Sequence, residues 1–244
     1  MSDHSGKDLP FYDGRPVAIG ASGWLLVMVG VAFGFAVLIA PLPPFSSAVG
    51  QFVPAIAFFA IPLAALAIVA RGHWTVLFGK VGGREIAWMF AFAGLNLVVS
   101  LAVGALVSRM FGAAANPAFG ALAEQAGGDR LLFFLKTLPQ LFGEELVTIL
   151  PLLALAWWFH SVLKLGRTAA IALSWLLSAL LFGAMHLPTY DWNFVQCFVV
   201  IGAARLVLSL AYLKTGNIWV STGAHVINDW VLFGAALLLG GLAR

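Results

Sequence analysis

Two adjacent carboxylates, Glu144 and Glu145, are the residues of this chain that could most clearly take part in catalysis. They lie inside an apolar run that resembles a membrane span. An ionisable side chain at the centre of a membrane helix costs about 2.5–3.5 kcal/mol on insertion scales. Adjacent helix positions differ by about 100°, so we expect one glutamate to face a cavity and the other a neighbouring helix. Close carboxylates in a low dielectric do not both ionise easily, which favours a general base tuned towards neutral pH.

Two later apolar segments add imidazole and further polar groups. His186 follows Phe182 by four residues, and Asp229 follows His225 by four, so each pair shares one face of a helix. Asn228 lies in the same stripe as His225. With the glutamates, these groups could supply a general base, imidazoles that shuttle or orient protons, and donors for a developing oxyanion. We therefore predict one polar site assembled between helices.

The same residues could also serve functions other than hydrolysis. Glutamate and histidine also ligate zinc, although the chain has no His-Glu-x-x-His motif. If a metal is bound, its predicted ligands are Glu144, His186 and His225. Buried Glu and His also serve as proton relays in transporters, and an ion pair between a glutamate and Arg205 would be purely structural.

The elements that position these residues are predicted to be membrane helices. The 244 residues are 62% hydrophobic and 9% charged, with a mean hydropathy of +1.00. Soluble domains carry about 25% charged residues, and the apolar runs of about twenty residues match a hydrocarbon core of about 30 Å. We predict an all-α fold, a polytopic transmembrane bundle of about seven spans.

The seven predicted spans lie near residues 22–40, 49–70, 86–107, 131–159, 169–186, 194–213 and 218–239. The fourth would be more than about 40 Å long, so we expect its first part, up to Pro139, to be a separate or re-entrant helix. Gly30 and Gly34 in the first span predict close packing within the chain rather than dimerisation. We expect His73 and His160, at loop boundaries, to be solvated.

Loop charges predict the orientation. With seven spans, the N-terminal side collects Lys7, Arg15, Arg71, Lys80, Arg84, Lys164, Arg167 and Lys214, and the opposite side Arg109, Arg130, Lys136 and Arg244. The side richer in Lys and Arg is normally cytoplasmic. We expect an integral protein of a bacterial plasma membrane, with its N-terminus in the cytoplasm and lipid as a partner. The basic residues punctuate loops, so no nucleic-acid partner is expected.

The order of the motifs resembles the CPBP superfamily of intramembrane proteases. Glu-Glu, then Phe-x-x-x-His, then His-x-x-x-Asp follow one another on successive predicted spans, and residues 212–219 look like the family's lead-in to its last core helix. The superfamily includes the CAAX prenyl-protein endopeptidase and bacteriocin-processing or immunity proteins. We therefore expect a protease-like core over residues 131–244, preceded by motif-free N-terminal spans over residues 1–130.

The resemblance implies an endopeptidase that hydrolyses a peptide bond of a membrane-associated protein or peptide, prenylated or not. By resemblance, the catalytic residues are Glu144, Glu145, His186, His225 and Asp229, and we add their neighbour Asn228 as a further donor to the oxyanion. We predict Phe182, from the second motif, and Arg205, from the sixth span, as substrate-binding residues. Glu144 would activate the attacking water, and Glu145 with His186 would assist it. His225 and Asp229 would line the oxyanion side. The family is described both as zinc-dependent and as using glutamate without metal, so a zinc cofactor stays open.

One position departs from the family pattern. The first motif continues to an arginine, Glu-Glu-x-x-x-Arg, and Ile149 occupies that position here. The chain is then a catalytically silent relative acting as an immunity or scaffold protein, or it has another substrate, or it takes the cation from elsewhere. We hypothesise that Arg205, inside the sixth span, supplies the cation and pairs with Glu145.

Overall fold

A computed structural model describes residues 8–242 of the chain as a bundle of α-helices. The helices are α1 (Ala21–Ile39), α2 (Phe52–Val69), α3 (Gly83–Phe111), α4 (Pro117–Glu124), α5 (Gly127–Trp157), α6 (Arg167–Met185), α7 (Gly202–Thr215) and α8 (Ile218–Leu242). Within this range, seven helical segments are long and apolar enough to cross a membrane, and no strand is present. The predicted all-α polytopic bundle is confirmed, and the chain is an integral membrane protein.

The fourth apolar run is one continuous helix, so the prediction of a separate helix before Pro139 was wrong. Both Pro139 and Pro151 lie inside α5. Proline removes one backbone hydrogen bond, which a helix surrounded by other helices tolerates more readily than an isolated one does. α5 has such surroundings, because α1, α2, α6, α7 and α8 all pack against it. A π-helical turn, Trp158–Val162, follows it directly.

The polar stretch before α5 contains a helix that the sequence reading did not predict. Helix α4 starts at Pro117, and the side chain of Asn116 caps it by accepting a hydrogen bond of 2.9 Å from the backbone N–H of Ala118. Proline at the first helical position and asparagine just before it are both favoured there. α4 packs against α8 and therefore forms part of the surroundings of the site.

Small residues set two close helix contacts. A methyl group added at Gly30 would lie 2.9 Å from the Cβ of Ala65, so α1 packs closely on α2 within the chain, as predicted. A methyl group at Gly183 would lie 2.6 Å from the carbonyl oxygen of Cys197. Glycine at position 183 thus lets α6 approach the π-helical turn Gln196–Ile201, which precedes α7. This approach places α6 against the residues that build the site.

The two boundary histidines differ from each other. His73 is exposed, as predicted. His160 is half-buried rather than freely solvated: its Nδ1 lies 2.9 Å from the carbonyl oxygen of Leu165, and its ring is 5.0 Å from that of Tyr12. The prediction failed because the N-terminal segment folds back over the connection between α5 and α6, where Tyr12 is buried.

Candidate active site

The two adjacent glutamates leave α5 in different directions, as predicted. Glu144 is partly exposed and lines a cavity of about 490 Å³ between α3, α5, α6, α7 and α8. Its Oε1 accepts a hydrogen bond of 3.3 Å from Gln140. Glu145 is fully buried behind the cavity wall, and its Oε1 accepts a hydrogen bond of 2.5 Å from Nη1 of Arg205. The two carboxylates therefore have separate surroundings.

Arg205 is a buried cation close to Glu145, while Ile149 occupies the position of the family's arginine. Ile149 is buried in the main apolar core of the bundle, with no room for a charge. The guanidinium of Arg205 is 1% exposed, pairs with Glu145, and lies 3.9 Å above the centroid of the Phe182 ring. A buried charge is tolerated only when it is paired and hydrogen-bonded. The hypothesised pair between Arg205 and Glu145 is thus present in the structure.

His225 stands between this ion pair and the cavity. Its Nδ1 lies 2.9 Å from Oε1 of Glu145 and 3.3 Å from Nη2 of Arg205. A carboxylate only accepts and a guanidinium only donates, so the shorter contact places the hydrogen on Nδ1. Nε2 is then left to face the cavity, where it lies 3.8 Å from both Oε2 of Glu144 and Oδ1 of Asp229.

Asp229 is held by a chain of amides that reaches α3. The side-chain amide of Asn96 donates to Oδ1 of Asn228 at 3.0 Å, and Asn228 donates to Oδ1 of Asp229 at 2.9 Å. Asn96 and Asn228 are both buried. Asn96 was missed by the sequence reading, although an asparagine in the middle of an apolar span was a usable signal.

His186 lines the same cavity from the C-terminal end of α6. Its Nδ1 lies 2.9 Å from the carbonyl oxygen of Phe182, which can only accept, so Nδ1 carries the hydrogen. The ring of His186 also packs on the ring of Phe182, with centroids 4.5 Å apart. Phe182 therefore contacts His186 and the Arg205 guanidinium together, and it joins the two parts of the site.

Tyr190 is a cavity residue that no sequence motif indicated. It lies just after α6 in a 3-10 turn, is buried, and its hydroxyl oxygen accepts a hydrogen bond of 3.1 Å from Asn116. Burial, followed by the nearby negative charges of Asp229 and Glu144, raises the pKa of Tyr190 to about 12. The hydroxyl therefore stays protonated at neutral pH, and its hydrogen is available to an acceptor in the cavity.

The predicted zinc ligands do not form a ready metal site. Among residues 8–242, no group of three or more His, Cys, Asp or Glu side chains is arranged to hold a metal ion. Glu144, His186 and His225, the ligands predicted if a metal is bound, thus line the cavity without converging on one point. What does converge is an acid and base arrangement of Glu144, His225 and Asp229.

We expect Arg205→Gln to lower the free energy of unfolding by about 3–5 kcal/mol, because it leaves the Glu145 carboxylate buried and unpaired. Adding Glu145→Gln should restore part of the loss. The measurement is denaturant unfolding in detergent micelles. The control is Arg167→Gln, which breaks an exposed pair with Asp8 and should cost about 0–1 kcal/mol. Equal losses of unfolding free energy in Arg205→Gln and Arg167→Gln would contradict the view that the buried pair is required for stability.

Comparison with known proteins identifies one family that the region around the site resembles. Residues 127–231, which are 105 of the 244 residues, match the family model described as type II CAAX prenyl endopeptidase, Rce1-like. The searches of curated proteins and of solved structures found no match. The matched stretch includes every predicted site residue from Glu144 to Asp229, and it confirms the resemblance drawn from the motifs. Residues 127–231 are thus similar to the Rce1-like family.

Proposed function

We propose that this protein is an intramembrane endopeptidase in which Glu144 activates a water molecule for attack on a peptide bond. The observation that carries the proposal is the meeting of Glu144, His225 and Asp229 on one cavity within a membrane bundle. The match to an endopeptidase family over the same residues also supports it.

The reaction needs a base, a water and an oxyanion donor. Glu144 takes a proton from water as the water oxygen bonds to the carbonyl carbon of the substrate. The 3.8 Å between Glu144 and Nε2 of His225 is too long for a direct hydrogen bond and suits contact through a shared water. Tyr190 donates its hydroxyl hydrogen to the oxyanion. The carbon–nitrogen bond then breaks and the proton passes from Glu144 to the leaving amine, which yields a carboxylic acid and an amine; the acid then passes its proton to the amine or to solvent.

Glu145 and Arg205 act in this scheme as positioning residues. The Glu145 carboxylate fixes the hydrogen of His225 on Nδ1, and Arg205 fixes the carboxylate. The imidazole is thereby held with Nε2 towards Glu144. Such preorganisation of a hydrogen-bonding group costs no rearrangement at the moment of reaction.

The substrate that fits best is a protein with a prenylated C-terminus. The family description names the CAAX prenyl class, in which the lipid is attached to a cysteine near the C-terminus. The cavity wall offers an apolar surface for such a chain, since Phe119 and Phe133 both contact Phe233, with ring centroids 5.1 Å and 5.3 Å apart.

The catalytically silent alternative rests on Ile149, which replaces the family arginine. That alternative keeps the fold and the ion pair of Arg205 with Glu145 but assigns the cavity no hydrolytic step. Under it, wild-type protein and a Glu144 variant would behave alike towards any peptide.

We expect Glu144→Gln to reduce peptide cleavage by a factor of about 10²–10⁴, because the amide cannot accept the proton of the water. The measurement is cleavage of a fluorogenic peptide, with its fourth-last cysteine farnesylated, by purified protein in micelles. Glu124→Gln, at an exposed glutamate of α4, is the control and should retain full activity. Cleavage of the peptide by neither protein would reject the endopeptidase proposal in favour of the silent alternative, and equal cleavage by both would reject Glu144 as the base.

We expect cleavage to survive a strong chelator, because the base in this scheme is a carboxylate and the cavity residues do not converge on a metal position. The measurement compares initial rates before and after prolonged dialysis against 1,10-phenanthroline, with metal analysis of both samples. Loss of activity that returns on addition of zinc would contradict this expectation and show that the reaction depends on the metal.

We propose further that the cavity opens on the non-cytoplasmic side of a bacterial plasma membrane. Its wall includes Ala114 and Thr189, which follow α3 and α6, and both segments lie on the side opposite the N-terminus. The basic residues are concentrated in the loops on the N-terminal side, for example at Lys80 and Lys164, which favours a cytoplasmic N-terminus. The substrate would then be a segment presented at the outer surface of the membrane.

The orientation can be read by thiol labelling. The single cysteine, Cys197, is fully buried and gives little background. We expect Thr189→Cys, at an exposed position beside the cavity, to react with a membrane-impermeant maleimide in intact bacteria. Lys80→Cys, in the exposed turn between α2 and α3, should react only after permeabilisation. The reverse pattern would place the cavity mouth in the cytoplasm.

A further inference from the structure

One stripe of α5 presents three polar side chains to the cavity. Lys136, Gln140 and Glu144 are four residues apart, so they lie on one face of the helix, and all three line the cavity. Gln140 donates a hydrogen bond to Glu144. Lys136 stands at the far end of the stripe, and nothing in the hydrolytic scheme uses it.

The charge of Lys136 is not neutralised by the protein. Among the residues that the structure describes, its Nζ makes no ion pair, and its neighbour is the Phe133 ring, whose centroid is 5.3 Å away. Asp129 borders a smaller adjoining cavity that Lys136 also lines, but it is not within 4 Å of the amine. The other cation of the main cavity, Arg205, is occupied by Glu145. A partly buried cation without an ion-pair partner gains by binding an anion.

We propose that Lys136 binds the free C-terminal carboxylate of the substrate peptide, an inference that rests on the proposed endopeptidase function. Eight residues of α5 separate Lys136 from Glu144, which is about 12 Å along the helix. An extended peptide advances about 3.3–3.6 Å per residue, so about three or four residues fit between these two points. A carboxylate held by Lys136 thereby places a peptide bond three or four residues upstream beside Glu144. Lys136 thereby sets the distance between the C-terminus of the substrate and the peptide bond that is cleaved, and it selects substrates whose C-terminus lies at that distance.

A lipid phosphate is the other anion that could reach this amine. The peptide carboxylate is favoured because Lys136 shares its stripe with the base Glu144 and lines the same cavity. A ligand bound at both ends of that stripe must extend along α5, as a peptide segment does. A headgroup at the cavity mouth would contact the lysine without reaching Glu144.

The test measures binding rather than cleavage, so that it does not depend on turnover. The probe is a fluorescent peptide with a farnesylated cysteine fourth from its C-terminus, prepared as the free acid and as the C-terminal amide. Its dissociation constant is measured by fluorescence anisotropy on the Glu144→Gln protein in uncharged detergent. We expect the acid to bind at least about 10-fold more tightly than the amide, as for a charge-assisted hydrogen bond.

Substitution of the lysine identifies the group that recognises the carboxylate. Adding Lys136→Gln should bring the acid to the affinity of the amide and leave the amide unchanged, and Lys136→Arg should keep the preference for the acid. The matched control is Arg130→Gln, on the same helix but bonded to the carbonyl of Gln125 and outside the cavity lining. That variant should still discriminate acid from amide.

Three results would overturn the assignment. These are equal binding of acid and amide by the Glu144→Gln protein, an equal weakening of both by Lys136→Gln, and an effect of Lys136→Gln that emerges only when phosphatidylglycerol is added. The last result would identify a lipid phosphate as the ligand. Because binding and cleavage are measured separately, normal cleavage with no preference for the acid rejects the role of Lys136 alone. A preference for the acid without any cleavage rejects the hydrolytic function alone.

Discussion

The site depends on one buried interaction, the ion pair between Glu145 on α5 and Arg205 on α7. Neither charge would be tolerated at this depth alone, because desolvation of an unpaired ion costs several kcal/mol. Together they form a fixed charged centre from which His225 takes its orientation. The pair therefore links three helices and determines which imidazole nitrogen faces the cavity.

Separation of the two glutamates explains how adjacent carboxylates serve one site without competing. Glu145 is enclosed and permanently paired, whereas Glu144 keeps contact with the cavity and with Gln140. The roughly 100° between neighbouring helix positions achieves this directly. Ile149, on the same helix, is part of the apolar core, and the cation that pairs with Glu145 comes from α7.

Part of the cavity wall is formed by segments that the sequence alone does not distinguish from ordinary loops. Asn116 caps α4 with its oxygen and holds the Tyr190 hydroxyl with its amide, so one side chain connects two segments on the same side of the bundle. Gly183 allows α6 to lie against the π-helical turn before α7. These contacts bring a phenol and two histidines to one cavity, although the residues are far apart in the chain.

The sequence by itself determined the seven apolar spans, the positions of the motifs and the divergence of Glu144 from Glu145, because hydropathy and helical periodicity are local properties. It also suggested the hypothesis that Arg205 supplies the cation missing at position 149, because a cation within a span needs an acidic partner. Only the tertiary structure decided that α5 continues through Pro139, that Tyr190 reaches the cavity and that Lys136 faces it unpaired. Each of these depends on which helices pack against one another, and such contacts between distant segments leave no periodic signal in the chain.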